Sequence, residues 1–303
     1  MTTARHRLVA SLAALPLLLV ASACGSAQRA EPREQPSTPY DRALHDALPA
    51  DVRSSGVVRV ATDASYAPAS SFAADGRTIV GFEPDLGAAL GRVLGVEVRF
   101  AQGTFSELPS DVVHQRTDAI MSAMTDTRER ERKVDFVNYF SAGTAIVVQR
   151  GNPSGITDLA GLCDQTVAVE KATTQVDLLA RSQKRCGRHP IVVKTYDTNS
   201  DALVQLRTGR ADAVLSDYPP AAYVATDPKT RSRFQLASTV QYEPGLYGIA
   251  VSKQRPQLRD TIKAALDRVI RSGEYAEILK RWGVGDGAVA KSSINAGGVD
   301  ASE

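Results

Sequence analysis

The side chains able to do chemistry in this chain are thinly spread, and their spacing excludes most catalytic constellations. His45, His114 and His189 lie far apart, none at ligand spacing from another histidine or a cysteine, so no metal is expected. Ser216-Asp217 has no histidine near it, and no nucleophile is matched to a base. What remains is charge. Arg130 stands in Arg128-Glu129-Arg130-Glu131-Arg132-Lys133, a mixed-sign run that by itself reads as a solvated helical turn, but the hydroxyls of Ser122 and Thr125 precede it. Asp217 closes the β-like run Ala213-Val214-Leu215-Ser216, where an aspartate serves as a turn or helix cap unless a ligand takes it.

The ends of the chain set the compartment. Arg5 and Arg7 precede an apolar run over 8–21 that gives way to Ser22-Ala23-Cys24-Gly25, which reads as a signal peptide over 1–23. The run is shorter than the roughly 18 residues that a membrane span needs, and no later segment is long and apolar enough. Cys24 after two small residues resembles the bacterial lipobox, which implies a lipid anchor at that cysteine; plain secretion is the alternative. Ala21 departs from the leucine usual three residues before the cysteine, although Leu19 and Val20 lie just upstream. Residues 24–53, with Pro32, Pro36 and Pro39, read as a lipidated cysteine and flexible linker, and 285–303 as a disordered tail. With Cys24 acylated, Cys163 and Cys186 are left as a disulfide pair in an oxidising compartment, two buried thiols being the other reading. The full chain carries 36 basic and 34 acidic residues; removal of Arg5 and Arg7 leaves 34 of each, so no nucleic-acid-binding surface is implied.

Groups at strand ends need an α/β frame, and the hydrophobic periodicity supplies one. A β-branched run over 57–62 is followed by a helical pattern over 83–94 and an alternating strand over 96–100, then a helix near 106–116 and a short strand at 119–121. A second series of like order begins near Leu159, with strands at 166–169, 191–193 and 213–215 and helices at 174–185 and 200–208. Strand-like segments at 143–148 and 247–251 link the halves. The amphipathic stretch 258–282 is broken at Ser272-Gly273, which predicts two helices meeting at a corner. Two similar α/β halves joined by two strands form a hinged clamshell, with ligands held between the lobes at the strands' carboxyl ends.

The chain resembles the family 3 extracellular solute-binding proteins, the polar-amino-acid type of the periplasmic-binding-protein fold, over nearly all of 57–282. The motifs are Arg-Val-Ala-Thr-Asp-Ala-Ser-Tyr-Ala-Pro (59–68), Val-Gly-Phe-Glu-Pro-Asp-Leu (80–86), Asp-Ala-Ile-Met-Ser-Ala-Met-Thr-Asp-Thr-Arg-Glu-Arg (118–130), Val-Asp-Phe (134–136), Gly-Arg-Ala-Asp-Ala-Val-Leu-Ser-Asp (209–217) and Tyr-Gly-Ile-Ala-Val (247–251). Each is weak alone; their order and spacing together carry the likeness. The resemblance implies a type II α/β clamshell, lobe 1 over 54–142 plus 247–284 and lobe 2 over 143–246. It further implies high-affinity capture of a free polar or basic L-amino acid by a monomer outside the cytoplasmic membrane, and delivery to the permease of an ABC importer, with no cofactor and no catalysis.

A free amino acid needs a cation or donors for its carboxylate and an anion for its ammonium. By resemblance Arg130 grips the carboxylate in a two-pronged contact, helped by Thr125, by the backbone around Ala123, and by Thr174 and Gln175 at a helix start. The Ser122 carbonyl and Asp217 take the ammonium, while Tyr66 and Phe105 clamp the aliphatic part, core packing being the alternative for each ring. Asp63 and Glu170 lie toward the ligand side chain; two carboxylates there favour arginine, lysine, histidine or glutamine, although Glu170 at a variable position equally suits solvent and Lys171 beside it opposes its sign. Ala69-Ser70-Ser71-Phe72, where the family has phenylalanine directly after the proline, implies a more open or polar rim. An amino-acid sensor feeding a receptor or kinase would have the same pocket. A cyclohexadienyl-dehydratase-like enzyme would need a general acid where this chain has Val176, and a hydrocarbon transfers no proton.

Overall fold

The computed structural model describes residues 37–298. Two short helices, α1 (Arg42–Asp46) and α2 (Ala50–Ser55), lead into β1 (Val57–Thr62). A small antiparallel sheet follows, made of β2 (Ser65–Tyr66), β3 (Ser70–Phe72) and β4 (Ile79–Val80). Then come α3 (Phe82–Leu94), β5 (Glu97–Gln102), α4 (Leu108–Val113), β6 (Ala119–Ile120) and α5 (Arg128–Glu131). The long strand β7 (Val134–Gln149) leads to the second series, β8 (Thr166–Glu170), α6 (Thr174–Ser182), β9 (Val192–Tyr196), α7 (Asn199–Arg207), β10 (Ala213–Asp217), α8 (Tyr218–Thr226) and β11 (Phe234–Leu236). The chain returns through β12 (Tyr242–Ser252) to α9 (Pro256–Arg271), α10 (Glu274–Arg281) and β13 (Ala288–Ile294).

The sheet order β5-β1-β6-β12-β7-β10-β8-β9 shows how the two halves are built alike. In the first, β1 lies between β5 and β6 in parallel and β12 closes the edge antiparallel. In the second, β8 lies between β9 and β10 in parallel and β7 closes it antiparallel. Parallel strands need covered faces, and each half has two apolar clusters. Leu86, Leu90 and Val93 of α3 pack with Ile262 and Leu266 of α9 on one face of the first sheet, while Phe105, Leu108, Val112 and Phe136 fill the other. In the second half, Leu178 and Leu179 of α6 pack on Val167 and Val169, and Ala202 and Leu206 of α7 on Ala168 and Val214. Ala142 belongs to the first half's core and Ala145 to the second's, so β7 changes lobe between them. This is the type II clamshell, an α/β fold in which both sets of parallel strands point their carboxyl ends at the space between the lobes.

Two stretches read as unstructured are folded where they are described. Within 24–53, α1 and α2 dock on the first lobe: Leu48 and Val52 are buried, Asp41 N–H donates to Val93 O at 2.8 Å, and Thr38 N–H donates to Glu274 Oε2 at 2.7 Å. Leu44, Leu48 and Val52 recur every fourth residue, a helical stripe that the proline-rich flank obscures. In the tail, β13 pairs with β7 from Ala288 opposite Phe140 to Ile294 opposite Val137. It satisfies main-chain groups of a strand edge that would otherwise be bare, which polar composition does not reveal. Cys24 and residues 1–36 and 299–303 lie outside the described residues.

Cys163 and Cys186 form a disulfide with their Cα atoms 5.3 Å apart, joining the turn before β8 to the end of the α6 segment. The break expected near residue 272 falls where α9 ends at Arg271 and α10 begins at Glu274, with Gly273 at φ 85 between them. The helix expected over 106–116 is shorter, because turns through Thr104–Glu107 delay its start to Leu108. Ser70 and Phe72 lie in β3; Ser70 Oγ donates to Glu83 Oε2 at 2.7 Å and Phe72 is exposed, so this departure from the family pattern feeds the small sheet and not the cleft lining. No helix among the described residues is long and apolar enough to cross a membrane.

Candidate functional site

The carboxyl ends of β1, β6, β8 and β10 converge on a narrow cleft lined by Asp63, Tyr66, Phe105, Ser122, Ala123, Thr125, Arg130, Glu170, Thr173, Thr174, Gln175 and Asp217. All eleven residues singled out from the sequence are there, contributed by both lobes. Thr173 is the addition; it is the N-cap residue of α6, and its Oγ1 donates to Glu170 O at 2.7 Å.

Arg130 sits on α5, whose first turn is capped by Thr127 Oγ1 accepting from Arg130 N–H at 3.3 Å. Its guanidinium donates through Nη1 to Thr125 O at 2.7 Å and through Nη2 to Ala172 O at 2.8 Å, so it spans from its own loop to the other lobe. The guanidinium carbon lies 5.5 Å from the centroid of the Phe105 ring, within cation–π range. Phe105 therefore does both things weighed for it: it is buried in an apolar cluster and its face supports the arginine. Burial lowers the Arg130 pKa from the ordinary arginine value, and the charge of Asp217 opposes that shift.

Asp217, the last residue of β10, is 6% exposed. Tyr66 OH donates to its Oδ2 at 3.1 Å, and Gln175 Nε2 donates to its Oδ1 at 2.7 Å. The Tyr66 oxygen also accepts from Asp217 N–H at 2.9 Å and from Ser216 Oγ at 3.1 Å, so a tyrosine of the first lobe is keyed into the strand end of the second. Burial pushes the Asp217 carboxyl up to about 6, with the hydroxyls of Tyr247 and Tyr66, the Gln175 amide and the Arg130 charge pulling the other way. Each carboxylate oxygen retains a lone pair for a further donor. The side-chain amide of Gln175 donates to Asp217 and to Thr144 Oγ1 at 3.1 Å, while its main-chain N–H lies in the first turn of α6 beside the cleft.

At the other end of the cleft Asp63 and Glu170 face each other from β1 and β8. Asp63 Oδ1 accepts from Ser65 N–H at 2.8 Å, and its main-chain N–H donates to Ser122 Oγ at 2.9 Å, which ties β1 to β6. Asp63 Oδ2 and Glu170 Oε1 are buried, and among the described residues no donor from a third group reaches either. Glu170 is 5% exposed, so the solvent-facing reading of it is wrong; the side chain turns inward while Lys171 pairs with Asp197 outside. Burial, then the nearby Asp63 carboxylate, push the Glu170 carboxyl up to about 9. At that value Glu170 keeps its proton at neutral pH and shares it with Asp63, so the pair holds one negative charge between them with acceptor capacity left for an incoming cation.

Glu83 is a supporting residue that the sequence gave no reason to pick out. It looks like an ordinary acid in the first turn of α3, but it is fully buried, and its Oε1 accepts from Ala123 N–H at 2.6 Å and from Tyr139 OH. That bond holds Ala123 at φ 46, a left-handed conformation unfavourable to alanine, and so shapes the loop between Ser122 and Thr125.

Comparison with known proteins agrees with this architecture. The model of the bacterial extracellular solute-binding proteins, family 3, matches residues 58–285, and the chain belongs to that family. It is 28% identical over 254 residues to an arginine-binding protein of Corynebacterium glutamicum, covering 82% of this chain and 81% of that one. Among solved structures, an ancestral arginine-binding protein bound to arginine is 34% identical with a TM-score of 0.68, covering 75% of this chain and 98% of its own. An ancestral amino-acid-binding protein described as a precursor of cyclohexadienyl dehydratase is 31% identical with a TM-score of 0.69, covering 77% and 98%.

Proposed function

We propose that the cleft captures a basic L-amino acid, arginine above the others, outside the cytoplasmic membrane, and that the closed, loaded protein delivers it to the permease of an ABC importer. The observation that carries this reading is the buried carboxyl pair of Asp63 and Glu170, whose oxygens Oδ2 and Oε1 no donor from another described residue reaches, set in the same cleft as Arg130 and Asp217. A zwitterion spans the charged pair Arg130 and Asp217, carboxylate to the guanidinium and ammonium to the aspartate. A cationic side chain then reaches the two carboxylates, and a guanidinium has enough donors to serve both. Tyr66 and Phe105 flank the aliphatic chain between. The hinge lies at 141–144 and 245–247, where β7 and β12 cross between lobes. Cys24, outside the described residues, anchors the protein by lipid. Catalysis is not part of this reading: the position that needs an acid is Val176, which packs against the second lobe's core.

The test is a thermal-shift screen of the mature protein against the twenty amino acids, ornithine and citrulline, since a ligand that binds the folded state raises the melting temperature by mass action. L-arginine gives the largest rise, lysine and ornithine smaller ones, and citrulline, the uncharged analogue of arginine, little or none. A citrulline shift equal to that of arginine would exclude the carboxylate pair as a cation receptor.

A further inference from the structure

The segment after α10 is placed where it acts on the binding loop. Residues 288–297 lie beyond the part of the chain that matches the family. They run as β13 along the first-lobe half of β7 and end in a turn at Asn295, whose side chain accepts from Phe136 N–H at 2.8 Å and donates to Asp135 Oδ1 at 3.0 Å. Beyond it Gly297 N–H donates to Asp126 Oδ2 at 3.0 Å. The contact is too close for any larger residue, because a Cβ on Gly297 would stand 2.0 Å from Asp126 O.

Asp126 is the residue after Thr125 and four before Arg130, and it is fully buried. Its carboxylate also accepts from Asn138 Nδ2 at 2.9 Å, and its main-chain N–H donates to Leu246 O at 2.7 Å, at the point where β12 enters the first lobe. Asn138 in turn accepts at Oδ1 from Ser293 Oγ at 2.9 Å and from Ala296 N–H at 3.3 Å. The cleft loop is thus held from behind by three fixed points: the hinge strand, β7 and the C-terminal segment.

We propose that residues 288–297 are a positioning strap for the ligand-binding loop: by fixing Asp126 they hold Thr125 and Arg130 in the geometry that receives a ligand carboxylate. The inference rests on the binding reading above for its effect on affinity, but the bracing itself is measurable without ligand. Gly297→Ala in the full mature chain forces the strap off Asp126, and Ser292→Ala is the control. Ser292 Oγ donates to Asp267 Oδ1 at 2.6 Å, so that variant loosens the strap against α9 and away from the loop.

Two readouts decide it. In the ligand-free protein, amide exchange at Asp126 and its neighbours speeds up in Gly297→Ala by about tenfold or more, the size expected for losing a hydrogen bond to a buried carboxylate. Exchange there stays at the wild-type rate in Ser292→Ala. By titration calorimetry with L-arginine, well below each melting temperature, Gly297→Ala binds about tenfold or more weakly, and Ser292→Ala like wild type. Wild-type exchange and wild-type affinity in Gly297→Ala, with only a lowered melting temperature, overturn the proposal and leave the strap as a cover for a strand edge. If Gly297→Ala does not fold, Asn295→Ala removes the anchoring turn and reports on the same amides. Should the wild-type protein bind no amino acid, the reading of the cleft falls, while the exchange measurement still decides the strap.

Discussion

Glu170→Gln separates stability from binding, because the wild-type carboxyl is held protonated where no ligand cation reaches it. Its ordinary value of 4.5 is pushed up to about 9 in the fold. An acid raised in this way stabilises the folded state fully below pH 4.5 and loses that contribution as pH rises toward 9. About 2.5 pH units separate 4.5 from neutrality, and at about 1.4 kcal/mol per unit the ligand-free protein carries a penalty of order 3 kcal/mol at pH 7. Glutamine imitates the protonated acid and does not titrate, so Glu170→Gln is more stable than wild type at pH 7 by up to about 3 kcal/mol, with the gap closing near pH 4. Binding runs the other way. A guanidinium about 4 Å from ionised Glu170 gains about 4 kcal/mol at an effective dielectric of 20. Ionising the acid at pH 7 costs about 3 kcal/mol of that, leaving about tenfold tighter arginine binding than in the glutamine variant. At pH 8 the difference grows to about a hundredfold and near pH 6 it vanishes, while the variant's own affinity is flat from pH 7 upward and falls only toward pH 6, where Asp217 takes up a proton. Calorimetry across this range, in buffers of different ionisation enthalpy, also detects release of the Glu170 proton by the wild type and none by the variant. Parallel affinity curves for the two proteins, or a Glu170→Gln protein less stable than wild type at neutral pH, would refute the reasoning.

Other substitutions probe the remaining charges. Arg130→Lys keeps the positive charge but cannot hold Thr125 O, Ala172 O and a ligand carboxylate together, and arginine binding weakens about a hundredfold by calorimetry, the cost of lost charge-assisted hydrogen bonds. Asp217→Asn removes the anion and keeps an acceptor for only one of the two donors, Tyr66 OH or Gln175 Nε2; the arginine-induced rise in melting temperature is lost while the ligand-free protein still folds and melts cooperatively, and a wild-type rise contradicts the assigned pole. The double substitution Cys163→Ser, Cys186→Ser opens a loop with a sequence separation of 23 and lowers unfolding stability by about 3 kcal/mol in denaturant titration, with arginine affinity unchanged because the bond lies within the second lobe.

Much of the cleft was readable because strand-ending motifs are local. Asp63, Ser122 and Asp217 each follow a β-branched or apolar run within a few residues, and their convergence comes from two α/β series whose periodicity is plain in the chain. Glu170 stands undecided in the sequence between ligand contact and solvent, since its burial against Asp63 and the main chain at Asn199 comes from segments far away in the chain. Glu83 was not picked out at all: an acid in the first turn of a helix has an adequate local explanation, and only tertiary packing puts Ala123 N–H and Tyr139 OH on it. The two misjudged ends share a cause. Polar, proline- or glycine-rich composition reports that a segment cannot build its own core, but α1, α2 and β13 borrow one, docking a few apolar side chains and main-chain groups on a lobe that already exists.

The two crossing strands constrain how the lobes move. Strands β7 and β12 stay paired on the first-lobe side from Val134 to Ala142, and their register slips between Tyr242 and Gly245 and again between Tyr247 and Gly248. A ladder of main-chain bonds resists sliding yet twists easily, and the slips put that softness into a handful of peptides, so the lobes swing without shearing. Across the cleft from these strands, Tyr66 of the first lobe bonds Asp217 of the second. That single phenol is a clasp between the halves, so Tyr66→Phe is expected to loosen them, visible as a more extended molecule in solution scattering without added ligand.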